Sequence, residues 1–337
     1  MIYNKLGKTG LSVSRIGVGG IPIQRTTKEA TAELLEMLAE NGVNYIDTAR
    51  GYTCSEEYIG YALESRGLRN KYIIATKSFA KTCDAMAADI DISLKNLKTD
   101  YIDLYQLHNP APEAYDAVCS EDGALAACIK AKKDGKIGHI GITAHSIEVF
   151  ERALENPVFE TIMFPYNIVE SQGEALIDKC RERNVGFIAM KPLAGGAIED
   201  AEAAVRYICA NPAVSIVIPG MYNTDEARQN IAAAENTAPI SLDEEKRFAA
   251  IRSTLTGNFC RRCNYCAPCT VGISIPNVFL YSGYLERYGL EEWARARYAG
   301  LEVKAGACIG CGACETRCPY HLPIREMLKK CAESFGE

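Results

Sequence analysis

The sequence predicts an α/β chain: a (β/α)8 TIM barrel with an N-terminal hairpin over residues 1–255, then a small, mainly α-helical domain over 256–337. Three observations predict this. Eight short runs rich in Ile and Val alternate with amphipathic stretches. Those runs lack strict polar alternation, as strands buried on both faces do. Of 15 cysteines, six (Cys54, Cys83, Cys119, Cys128, Cys180 and Cys209) are scattered singly, while the other nine crowd between Cys260 and Cys331, so the composition breaks near residue 255.

The elements follow in order. Residues 1–15 read as a hairpin turned at Gly7 or Gly10, plugging one end of the barrel. Strands are predicted at 16–20, 43–47, 72–76, 101–107, 138–142, 160–164, 185–190 and 214–218. The first helix, 28–40, starts at a capping box of Thr26 and Glu29 and stops at Asn41-Gly42. The next helices are predicted at 55–65, then around Ala87, Ile90, Leu94 and Leu97, which share one face. Others fall at 113–134, 146–155, 171–183, 200–210 and 224–234, with a linking helix at 241–255. A doubly wound open sheet is the alternative, but it usually carries GxGxxG after its first strand. IGVGGIPIQ offers only Gly17, Gly19 and Gly20.

Composition excludes several function classes. The chain has 337 residues, 48% of them hydrophobic, ample for a core. A net charge of −6 argues against a nucleic-acid binder, which shows a basic stripe. No run approaches the roughly 18 apolar residues of a membrane span, and the start lacks a signal-peptide stretch, so a cytoplasmic protein is expected. In a reducing compartment cysteines serve metals or catalysis before disulfides.

Barrel chemistry sits at the carboxyl ends of the strands. Asp47 ends the second predicted strand, Lys77 follows the third, His108 follows the fourth, and Tyr52 lies five residues after Asp47. Each type alone reads as a solvated rim residue; four on consecutive strands point to one site. With LGKTGLSVSRIGVGG, DTARGY, SEEYIG, GKIGHIGIT, KPLAGG and IPG, residues 1–255 resemble the aldo-keto reductase family. The resemblance implies reduction of a carbonyl, or oxidation of the alcohol, with NAD(P)H, and makes Asp47, Tyr52, Lys77 and His108 the catalytic tetrad. Tyr52 is then the general acid, His108 orients the carbonyl and Asp47 holds Lys77. A lysine cation about 4 Å away contributes roughly 4 kcal/mol at intermediate dielectric, near three pKa units of added acidity for the phenol, of which Asp47 offsets part.

The resemblance also implies the cofactor contacts. The usual Ser-Asn pair after the fifth strand is Thr143-Ala144; Asn167 follows the sixth; Met190 stands where a tyrosine often stacks on the nicotinamide. Lys191, Leu193 and Gly195 match the pyrophosphate loop, Pro219 and Gly220 open the last loop, and Gln229 and Asn230 match the adenine side. Basic residues that would meet a 2′-phosphate are replaced by Gly220 and Glu226, although Arg228 is close in sequence, so NADH is expected over NADPH.

The late cysteines form two runs: Cys260, Cys263, Cys266 and Cys269, each separated by two residues, and Cys308, Cys311, Cys314 and Cys318-Pro319. The second has the bacterial ferredoxin spacing, in which the fourth cysteine serves the other cluster. The inferred ligand sets for two [4Fe–4S] clusters are therefore Cys260, Cys263, Cys266 and Cys318, and Cys308, Cys311, Cys314 and Cys269. The first run departs by one residue before Cys269, and four-cysteine zinc is the competing assignment. The helical insert at 277–298 makes the domain resemble helical ferredoxins rather than a compact one. Cys331 reads as a packing residue.

Three readings join the halves: a small-molecule carbonyl reductase whose clusters are structural or reach a redox partner (ferredoxin or flavoprotein); a ferredoxin-linked reductase with altered barrel chemistry; or a non-catalytic electron-transfer or binding module. Exposed clusters suit an anaerobe. No flavin signature is found.

Overall fold

The computed structural model describes residues 1–337. β1 (Tyr3–Lys5) and β2 (Ser12–Ser14) form the antiparallel hairpin. Both glycines turn it, with φ of 52° at Gly7 and 75° at Gly10. A Cβ on Gly7 would meet the Gly186 nitrogen at 2.2 Å, so only glycine lets the hairpin close the barrel floor.

Eight parallel strands follow in sequential order: β3 (Val18–Gly19), β4 (Tyr45–Asp47), β5 (Ile73–Ser78), β6 (Ile102–His108), β7 (Ile137–Thr143), β8 (Thr161–Pro165), β9 (Gly186–Met190) and β10 (Ile216–Ile218). Parallel bridges Ile16–Val217 and Gly19–Gly220 bring the last strand back to the first. The barrel is the predicted one, with a shorter first strand. Leu6 of the hairpin, Tyr45, Leu104, Met163, Ile188 and Ile216 fill its interior.

Between the strands run α1 (Lys28–Glu40), α2 (Ser55–Ser65), α3 (Cys83–Asn96), α4 (Tyr115–Cys119), α5 (Ala124–Lys133), α6 (Ile147–Glu155), α7 (Glu174–Glu182), α8 (Ala201–Cys209) and α9 (Thr224–Glu235). Their apolar faces and the outward strand residues form a layer of 57 buried residues. Two expectations need correction. α1 is capped by Thr27, whose hydroxyl accepts from the Ala30 amide at 3.2 Å; Thr26 instead closes the preceding turn, its amide donating to the Ile23 carbonyl. The helix expected over 113–134 breaks at Gly123, where a Cβ would lie 2.3 Å from the Ala117 carbonyl oxygen.

α10 (Leu242–Leu255) starts in a capping box between Ser241 and Glu244. Beyond it lie α11 (Ile275–Glu286), α12 (Glu291–Ala299), α13 (Ala313–Thr316) and α14 (Ile324–Phe335). The insert expected as one helix over 277–298 is two, hinged at Gly289 with φ of 62°. A separate core of 14 buried residues holds Cys266, Cys314, Cys318 and Cys331. No helix is long and apolar enough to cross a membrane.

This helical region packs over the barrel mouth. Arg287 Nε donates to the Gly195 carbonyl at 2.9 Å, and Arg25 Nη1 donates to the Tyr288 carbonyl at 2.8 Å. The buried Arg262 guanidinium pairs with Glu170, which is 0% exposed and also accepts from the Asn167 amide. Removing one member of such a pair strands a buried charge. Glu170→Ala is expected to lose about 3–5 kcal/mol of stability, read as a lower denaturant midpoint; an unchanged midpoint would show that water reaches Arg262.

Candidate active site

Strand register places the four predicted catalytic residues. Asp47 closes β4, Lys77 lies one residue from the end of β5, and His108 closes β6. Lys77 is level with Gln106, and His108 with Thr143 on β7. Tyr52 comes from the loop between β4 and α2, where its amide donates to the Ala49 carbonyl at 3.0 Å. All four line one cavity of about 430 Å³ at the carboxyl ends of the strands.

Their contacts are specific. Lys77 Nζ pairs with Asp47 Oδ1 and donates to the Thr48 carbonyl at 2.9 Å. Gln106 Nε2 donates to Asp47 Oδ2 at 3.1 Å. Lys77 Nζ stands 5.0 Å from the centre of the Tyr52 ring. The Tyr52 and His108 rings meet edge to face, 5.9 Å between centroids. Phe79 stacks on His108 at 3.7 Å, and His108 Nδ1 is buried without a partner.

The electrostatics correct one expectation. Burial first, then the charge of Asp47, pushes the Tyr52 phenol well above its ordinary range. The direction is opposite to the lowering expected from Lys77 with Asp47 offsetting part of it. Burial pushes Lys77 down and Asp47 up, each opposed by its partner. Lys77 is paired with Asp47, so its charge is offset at the phenol, where the carboxylate acts in the same direction as burial. Burial, reinforced by Lys77 and Arg297, holds His108 well below the usual imidazole range, hence neutral. The arrangement is a phenol that keeps its proton beside an uncharged imidazole.

Most predicted cofactor residues reach the same cavity: Thr143, Met190, Lys191, Leu193, Gly195, Gly220, Gln229 and Asn230. Thr143 Oγ1 and Asn230 Oδ1 are buried with no partner. Two residues do not line it. Asn167 is fully engaged elsewhere: Nδ2 donates to Glu170 and to the Lys191 carbonyl, and Oδ1 accepts from the amides of Val169 and Glu170. Pro219 contributes backbone to barrel closure, its carbonyl accepting from the Gly19 amide at 2.8 Å.

Several cavity residues went unread in the sequence. His145 lines it with both ring nitrogens buried and unpartnered; its place two residues past β7 was the available signal. Tyr284, Trp293 and Arg297 descend from α11 and α12. Trp293 lies 6.4 Å from Tyr52 and 4.5 Å from Tyr284 between ring centroids. Nothing local in the sequence ties those residues to Tyr52, more than 230 positions away.

A model described as "Aldo/keto reductase family" matches residues 15–203. The chain belongs to the aldo/keto reductase family. Within this family member, a second model, "4Fe-4S dicluster domain", matches residues 259–323. L-galactose dehydrogenase of Arabidopsis thaliana is 27% identical over 290 residues, covering 71% of this chain and 90% of that protein. The uncharacterized oxidoreductase YqkF of Bacillus subtilis is 26% identical over 299 residues, covering 73% and 95%. In fold, the chain is similar to the holo form of aldo-keto reductase AKR11C1 from Bacillus halodurans, with a TM-score of 0.64 at 24% identity over 74% of this chain and 96% of that one.

The dicluster region of this aldo/keto reductase arranges its thiols in two groups. Cys269, Cys308, Cys311 and Cys314 line one small void. There Cys311 Sγ lies 3.4 Å from Thr270 Oγ1, which, with the Ala313 amide, favours the thiolate. Elsewhere Cys318 lies near Cys263, and Cys260 and Cys263 lie near Cys266, with Cys314 of the first group also near Cys266. Cys260 also lines a second cavity with Lys191, Gly195, Arg287 and Tyr288, residues that line the active cavity as well.

Proposed function

We propose that this chain is an NAD(P)H-dependent oxidoreductase that reduces a small carbonyl compound, or oxidises the corresponding alcohol, at Tyr52. The observation that carries the proposal is the meeting of Tyr52, Lys77, Asp47 and His108 in one cavity. The nicotinamide supplies a hydride when bound. Thr143, Met190, Lys191, Leu193, Gly195, Gly220, Gln229 and Asn230 are the residues that would hold it, with Asn167 and Pro219 acting through the loops they brace. Neutral His108 donates one hydrogen bond to the carbonyl oxygen and fixes its direction. Tyr52 delivers the proton as negative charge builds on that oxygen. The Lys77–Asp47 pair, tied to Gln106, holds the Tyr52 ring. Anaerobic NAD(P)H oxidation against a panel of aldehydes and ketones tests this; no turnover with any of them in iron-loaded protein would refute it.

NADH is proposed over NADPH. Glu226 lines the cavity and accepts from the Tyr222 amide at 3.2 Å, a carboxylate at a position where the resemblance implies a basic residue for the 2′-phosphate. Arg228 pairs with Asp225 instead of facing the cavity. NADH is expected to bind at least about tenfold more tightly, and Glu226→Gln to narrow the gap. Titration of both reduced cofactors checks this, and a strong NADPH preference would reverse it.

The two thiol groups support two [4Fe–4S] clusters held as inferred above, Cys260, Cys263, Cys266 and Cys318 for one and Cys269, Cys308, Cys311 and Cys314 for the other. When bound, each supplies one-electron transfer. Four-cysteine zinc is the competing assignment. The ferredoxin spacing of the second run, together with the dicluster model over residues 259–323, favours the iron–sulfur clusters. The unit boundary is placed at 255/256, where α10 ends. A second reading, in which the clusters feed electrons to the barrel, is favoured by the cavity that Cys260 shares with Lys191 and Tyr288. Turnover with reduced viologen but not with NAD(P)H would select it.

A further inference from the structure

We propose that the substrate is a short oxo acid (or its hydroxy acid), and that Arg297 of α12 grips its carboxylate while the carbonyl sits at Tyr52 and His108. This rests on the reductase reading for the position of the carbonyl and extends it to the substrate class.

Arg297 lines the active cavity. Its guanidinium carbon lies 4.8 Å from the Trp293 ring centre and 5.4 Å from that of Phe79. Phe79 in turn stacks on His108. The cation therefore stands one aromatic ring from the imidazole. Its single hydrogen bond is a long one, Nη2 to the Gly51 carbonyl at 3.4 Å. Arg295, on the same helix, pairs with Glu291 at 2.9 Å; Arg297 has no such acid. A guanidinium has five donors in a planar fork that matches a carboxylate two by two.

The neighbouring charges leave this role open. Lys77 is taken by Asp47, and Glu226 is held by the Tyr222 amide beside Arg25. Five basic side chains line the cavity (Arg25, Lys77, Lys191, Arg287 and Arg297) against three acidic ones (Asp47, Glu199 and Glu226). Next to the phenol and imidazole neither Arg297 nor Lys191 is in a salt bridge; Lys191 belongs to the loop proposed to hold the cofactor pyrophosphate, which leaves Arg297 for the substrate. One guanidinium balances a single negative charge, which suits a carboxylate better than a phosphate dianion. Trp293 and Phe79 lie against the guanidinium and fix where it stands in the half-buried corner.

Trp293 is the single tryptophan of the chain, so its emission reports this corner alone. Anaerobic, iron-loaded full-length protein would be titrated with pyruvate, 2-oxobutanoate and oxamate. Methyl pyruvate and glycolaldehyde phosphate serve as the neutral and phosphorylated controls. The oxo acids are expected to change the emission saturably and to bind at least tenfold tighter than either control. Arg297→Met should abolish that preference with iron content unchanged, and Arg297→Lys should restore part of it. Equal binding of acid and ester by the unsubstituted protein would overturn the proposal. So would tighter binding of the phosphate, or an equal loss for acid and ester in Arg297→Met. Arginine-dependent binding of acids without nicotinamide-dependent turnover would sink the reductase reading and leave the carboxylate site standing.

Discussion

Tyr52→Phe is expected to lower kcat for carbonyl reduction by roughly 10³-fold, the usual worth of a positioned general acid. The substitution removes one oxygen from a ring held by edge contacts with His108 and Trp293, so packing survives. Iron content, thermal midpoint and the dissociation constant for NADH should stay where they are. The pH profile gives the assignment its sign. Burial and Asp47 raise the phenol, so Tyr52 stays protonated through neutral and mildly alkaline pH. Reduction by the unsubstituted enzyme should therefore be flat across that window. Neutral His108, its pKa pushed down, adds no break near pH 6.5. Alcohol oxidation needs the phenolate and should keep rising into alkaline pH. Unaltered reduction in Tyr52→Phe, or a fall in reduction between pH 6 and 8, would remove Tyr52 from the role of acid.

Substituting cluster cysteines in pairs is expected to separate crossed from sequential ligation. Cys308→Ser should cost about half the iron, roughly four of eight atoms per chain. Under crossed ligation, Cys269→Ser added to it costs no further iron, because both serve one cluster. Cys269→Ser combined with Cys260→Ser empties both. Sequential ligation reverses the two outcomes, so iron analysis with electron paramagnetic resonance of the reduced protein decides between them. Cluster binding is expected to be coupled to folding, since three of the inferred ligands, Cys266, Cys314 and Cys318, belong to a core of only 14 buried residues. Loss of iron should also lower the stability of that region.

The tetrad shows why so much was legible. A strand end fixes where a side chain goes in a barrel, so Asp47, Lys77 and His108 could be placed once the hydrophobic runs were recognised. The cysteine spacings were equally local. Asn167 illustrates the opposite case. Its position after the sixth strand suggested a cofactor contact, yet its amide is consumed by Glu170 and the Lys191 carbonyl. Hydrogen-bond capacity is finite, and which neighbour takes it is not written in the sequence. The Tyr52 phenol makes the same point energetically: the charges of Asp47 and Lys77 were foreseeable, but the largest effect on the phenol is burial, which Asp47 reinforces, and burial is a property of the assembled cavity.

The sequence by itself determined the barrel, its closing hairpin, the four polar residues at its mouth and two groups of thiols, because period, strand ends and short spacings are local quantities. Only the tertiary structure decided what covers that mouth. α11 and α12 bring Tyr284, Trp293 and Arg297 over Tyr52 across some 240 residues of chain. Such contacts come from packing one unit on another, through pairs such as Arg262 with Glu170 and Arg287 with the Gly195 carbonyl. No periodicity within either unit encodes them.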